Sequence, residues 1–109
     1  MAEGAKSAIQ TFAAPASGAP AAIGPYSQAA AIGDTIYVSG CIGLLPGDET
    51  RFASDDVQGQ AKQALTNMRA ILAAAGSDMN HVAKTTVLLT DMQNYAAVSP
   101  TITLFDWLC

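Results

Sequence analysis

The spacing of apolar positions changes period along this chain, and each period predicts an element. In "TIYVS", Ile36 and Val38 alternate with Thr35, Tyr37 and Ser39, the period of two expected of a strand with one face covered. A second extended run, 26–32, precedes it, and only Gly33-Asp34 separates the two. A glycine in the first turn position supplies the positive φ of a type II′ turn, so a β-hairpin is predicted. Past residue 56 the period lengthens. Val57, Ala61, Ala64, Leu65, Met68, Ile71, Leu72 and Ala75 recur at spacings of three and four, the stripe of an amphipathic helix. Ser54, Asp55 or Asp56 can cap its start, and Gly76 stands where a left-handed residue ends a helix. Gly59 costs about 1 kcal/mol relative to alanine, a cost softened by fraying in the first turns.

The intervening "GLLPGDETRFASDD" carries two Gly, a Pro and most of the local acid, and reads as a surface loop. "VAKTTVLLTD" is rich in β-branched residues and predicts a strand ending at Asp91, which then caps a second helix beginning in "DMQNYAAV". That helix is expected to stop by Val98. Pro100 removes a helical hydrogen bond, at a cost of about 3 kcal/mol in an interior position, and Thr101, Ile102 and Thr103 prefer extended backbone. Hairpin, helix, strand and helix together predict an α+β domain with a helix face laid on a sheet face. Residues 1–19 are small and aperiodic and read as a flexible N-terminal arm, leaving 20–109 as a single domain.

Composition narrows the function classes. Half of the 109 residues are hydrophobic and 13% are charged, which argues for a folded core and for surface covered by copies of the chain. A net charge of −4, with five basic residues spread from Lys6 to Lys84, leaves no electrostatic footprint for nucleic acid. No apolar run is long enough to span a membrane, and the first 22 residues lack the apolar centre of a signal peptide, so a cytoplasmic setting is expected. Cys41 and Cys109 form neither a disulfide framework nor a metal motif; Cys41 reads as a buried, reduced thiol.

"AIGPYSQA", "TIYVSGCIG", "QAKQALTNMRAILAAAG" and "VAKTTVLLTDMQNYAAV", in this order and spacing over residues 20–98, resemble the RidA (YjgF) family. The resemblance implies a chorismate-mutase-like fold, a β-sheet with two helices packed on one face, assembled as a homotrimer with clefts between subunits. It implies a hydrolase acting without a cofactor or metal: a 2-iminobutanoate/2-iminopropanoate deaminase that converts reactive imines or enamines released by pyridoxal-phosphate enzymes to 2-keto acids and ammonia. A non-catalytic, chaperone-like trimer and a translation-inhibiting endoribonuclease are the alternatives the family offers; the acidic charge argues against the latter.

By the same resemblance Tyr26, Ser39 and Gly40 bind substrate, Gly40 by permitting close backbone approach. Cys41 stands where family members often carry Gln, and Ser99 where an Asn can contact ligand. Family members continue into two further strands, with an Arg that clamps the substrate carboxylate and a Glu that orients water. The ending "LFDWLC" supplies neither, and Arg51 and Arg69 lie elsewhere, so impaired activity and a C-terminally truncated version of the fold are expected. His81, the only histidine, reads as a solvated turn residue, and Phe105 and Trp107 as apolar cover.

Overall fold

A computed structural model describes residues 6–9 and 18–103. Phe105, Trp107 and Cys109 therefore lie outside the described residues. Strands β2 (Ala29–Ile32) and β3 (Thr35–Val38) form the predicted antiparallel hairpin, with Ile32 opposite Thr35 and Gly33 at φ +57°. Strand β1 (Ser7–Ile9) adds antiparallel to β2, giving the order β1-β2-β3. Three residues of the segment read as a flexible arm are thus paired: β2 presents a free edge, and backbone hydrogen bonding to it needs no apolar periodicity in the incoming chain.

Helix α1 (Val57–Ala74) is capped by Asp56, whose carboxylate accepts from the Gly59 N–H. It ends with Gly76 N–H donating to the Ala73 carbonyl and Ser77 N–H to that of Leu72, the paired bonds of a Schellman closure. Gly59 is explained by contact, not by fraying. A Cβ there would fall 2.3 Å from the Ser54 Cβ, so the chain entering the helix occupies the space a side chain would need.

Ile36 and Val38, on the inward face of β3, pack against a cluster of Leu72 and Met79, on which Leu65 and Met68 of α1 and Ile102 of α2 (Tyr95–Thr103) also pack. The helices therefore meet the same sheet face, the α+β arrangement expected. A second cluster joins Ala19, Ala29 and Ile71.

Three local expectations are corrected. The segment read as a surface loop contains a second hairpin, β4 (Leu44–Leu45) with β5 (Asp48–Phe52). Its turn is Pro46-Gly47, with Gly47 at φ +86°, the Pro-Gly pair a tight turn favours. The predicted strand at 82–91 is extended at both ends, Val82 and Asp91, but forms no ladder with any described strand. Its β-branched residues set backbone conformation; pairing requires a neighbour, and the described residues supply none.

Helix α2, finally, continues through Pro100 to Thr103. Burial of Val98 and Thr101, 3% and 8% exposed, and the packing of Ile102 on the Leu72–Met79 cluster outweigh the lost hydrogen bond. Gln58 of α1 also donates to the Ala97 carbonyl at 3.1 Å, fastening the two helices together beside the proline.

Candidate active-site cleft

The outward run after β3 and the run before β2 face each other across one cleft. Tyr26, Ser39 and Gly40 all line it, together with Cys41 and Gln28. Hydrogen bonding sets this arrangement. Ser39 N–H donates to the Gln28 carbonyl at 3.0 Å, and Ser39 Oγ donates to the Ser27 carbonyl at 2.6 Å. The serine hydroxyl is thus oriented by the run that leads into β2, leaving its lone pairs as acceptors for a ligand. Tyr26 N–H donates to the Gly24 carbonyl at 2.8 Å, a tight turn that brings the phenol to the rim, where the residue is 45% exposed.

The lip of the cleft is held from two sides. Gln28 Nε2 donates to the Pro20 carbonyl at 3.3 Å, and Ala21 N–H donates to Glu49 Oε1 at 2.9 Å. The Ala21 bond is also the main reason the Glu49 carboxyl lies below its usual range. Cys41 is half-buried, and burial pushes its thiol up to about 11. Its Sγ donates weakly to the Ser39 carbonyl at 3.5 Å. A thiol so protonated at neutral pH is a poor nucleophile, so Cys41 forms wall and does not attack.

At the floor stands Asn67, 2% exposed, donating to the carbonyls of Ile42 and Leu44 at 3.1 and 2.9 Å. The sequence reading passed over Asn67 and Glu49. For Asn67 a signal existed: a polar residue beside Ala64, Met68 and Ile71, within the apolar stripe of α1. Glu49 gave none, because its partner is a backbone N–H.

The remaining candidates lie apart from this cleft. His81 Nδ1 stands 2.9 Å from Asp78 Oδ1, with both side chains mostly exposed, and that contact is the first cause of the lowered Asp78 pKa. Asp91 accepts from the Gln93 N–H at 2.9 Å as a cap. Arg51 sits on β5, 3.9 Å from Asp48 Oδ2 and 70% exposed. Among the described residues no cluster of metal-ligating side chains occurs, and no helix is long and apolar enough to cross a membrane.

The cleft is about half open to solvent and has a volume of about 40 Å³. That is room for one or two waters and too little for a whole amino-acid-sized ligand. Its described lining has no charged side chain. It can therefore hold a small polar group and a water against hydroxyl, amide and backbone groups, and offers no charge of its own.

Residues 16–105 match the family described as endoribonuclease L-PSP. The chain is 53% identical over 81 residues to the 2-iminobutanoate/2-iminopropanoate deaminase of Mus musculus, covering 74% of this chain and 59% of that protein. It thus spans little more than half the length of this relative. Among solved structures, RidA from the Antarctic bacterium Psychrobacter sp. PAMC 21119 superposes with a TM-score of 0.78 at 39% identity, over 90% of this chain and 74% of the other. E. coli TdcF with bound serine gives 0.79 at 35% identity, over 91% and 72%. Fold and sequence agree: the chain belongs to the endoribonuclease L-PSP family, the RidA family.

Proposed function

We propose that this cleft is one wall of a site that hydrolyses 2-imino acids to 2-oxo acids and ammonia. The observation that carries the reading is the convergence of Tyr26, Ser39 and Gly40 in a single cleft, in a chain 53% identical over 81 residues to a protein named for that reaction. A neighbour of the same fold that holds serine supports a ligand with an α-carboxylate.

The chemistry asks little of the protein. Water adds to the carbon of a protonated imine, its proton passes to nitrogen, the C–N bond breaks and ammonia leaves. Holding the substrate beside a positioned water supplies several kcal/mol. The Tyr26 hydroxyl at the rim and the lone pairs of Ser39 Oγ are the groups here that can orient the water or the substrate's polar end. The substrate is a small 2-imino acid, and the setting we propose is cytoplasmic.

Tyr26→Phe is expected to weaken binding of 2-oxobutanoate several-fold while stability stays within about 1 kcal/mol of the unsubstituted chain, the net worth of one hydrogen bond. Titration calorimetry and urea unfolding measure the two quantities. Loss of stability with unchanged affinity would mean that Tyr26 only anchors the strand.

We propose that another protomer of a homotrimer brings the opposite wall, a reading supported by the low charge content of the chain, 13%. Sedimentation equilibrium at micromolar concentration is expected to give three times the monomer mass; a folded monomer would rule the assembly out.

A further inference from the structure

Between β3 and β4 the chain must leave one sheet and enter another, and residues 39–43 bridge the gap as the cleft wall. Their apolar anchorage is uneven: Gly40 is exposed and Ile42 is 51% exposed, while half-buried Cys41 packs against the Ala19–Ala29–Ile71 cluster. Among the described residues, backbone bonds fix the ends of the run, Ser39 N–H to the Gln28 carbonyl and Ala53 N–H to that of Gly43. The side chain of α1 that reaches this run is Asn67. Asn67 directs its amide nitrogen at the Ile42 and Leu44 carbonyls, 3.1 and 2.9 Å away, and its oxygen accepts from Gln63 Nε2 at 2.8 Å. The amide's planar donor pair matches two carbonyls that flank Gly43. Asp would present no donor, and Leu would leave both carbonyls unpaired.

We propose that Asn67 is a positioning residue: with Gln63 holding its amide, it latches residues 42–44 onto α1 and so sets where the Ser39–Gly40–Cys41 wall stands in the cleft. Its bearing on substrate rests on the reading of the cleft as a 2-imino acid site. The latch itself is measurable without any ligand.

Cys41 reports the position of the wall. In a Cys109→Ser background it is the only thiol, and its raised pKa makes basal labelling slow. Asn67→Leu is expected to speed labelling of Cys41 by an aromatic disulfide reagent at least about tenfold. The rate should be flat in urea below the unfolding transition, the mark of a local opening. Gln63→Met keeps both Asn67 donors but frees the amide to turn, and an intermediate rate is expected; if Asn67→Leu does not fold, Gln63→Met carries the test.

An unchanged rate, or one that climbs with urea in step with global unfolding, overturns the latch. Calorimetry with 2-oxobutanoate separates the two ideas. Faster labelling with weaker binding supports both, whereas faster labelling with no 2-oxobutanoate binding even after the C-terminal part of the mouse relative is joined supports the latch and removes the imine reading.

Discussion

A polypeptide of these 109 residues is expected to hydrolyse 2-iminopropanoate at least about 30-fold more slowly than the mouse relative, because nothing in the described cleft can pair with the substrate carboxylate. A carboxylate entering a partly dry cleft wants a bidentate guanidinium, and among the described lining residues none is charged. Arg51 is turned toward Asp48 at the surface of β5, and Arg69 is exposed on α1. Removing one partner of a buried ionic hydrogen bond costs about 2–5 kcal/mol, from 30-fold to several thousand-fold. The imine would be generated by an amino-acid oxidase and the surviving fraction trapped with semicarbazide. Joining the C-terminal part of the mouse relative that lies beyond the match, with the Arg and Glu that the family resemblance implies, should raise the rate by a similar factor. A rate equal to the mouse protein's without that addition would show that another cation binds the carboxylate, Arg51 of a neighbouring protomer being the first to test.

The second large effect is one of stability, and it contrasts two glycines in the same wall. Gly43 is buried against α1, and a Cβ there would stand 2.6 Å from the Gln60 carbonyl oxygen and 2.8 Å from its Cα. Both are backbone atoms of a helix and cannot step aside, so Gly43→Ala is expected to cost about 2–3 kcal/mol through overpacking. At Gly40 a Cβ meets nothing within 4 Å, and Gly40→Ala should stay within about 0.5 kcal/mol. If Gly40 serves ligand approach, that same substitution should still weaken 2-oxobutanoate binding. Urea unfolding of both variants checks the pair; equal stability losses would show that the loop does not lie on the helix as described.

The elements legible in the sequence were those whose own residues carry the whole signal. The β2–β3 hairpin announces itself by alternation and a two-residue turn, and α1 by its stripe, cap and closing glycine. Elements that depend on a distant partner were misjudged. Asp48 and Glu49 do not look like strand residues, yet β5 pairs with β4 because Pro46-Gly47 folds the chain back on itself. Residues 82–91 have strand composition and no described partner. Pro100 argued against a helix whose other face is pulled into the core by Val98, Thr101 and Ile102.

At the site, residue patterns alone placed Tyr26 and Ser39 only within two extended runs. Family resemblance singled them out as substrate-binding residues, and their convergence appears only in three dimensions. The Asn67 latch was hidden because its partners are backbone carbonyls more than twenty positions away.

The ladderless run after the Met79–His81 turn has a further consequence. Val87 and Leu88 are 51% and 88% exposed on backbone that is already extended at both ends of the run. Proteases take their substrates in an extended form, and chaperone holdases capture extended apolar segments, so this run meets both requirements without prior unfolding. The lifetime of the uncovered chain is therefore expected to depend on how quickly residues 82–91 are covered as well as on the stability of the core around Leu72 and Met79.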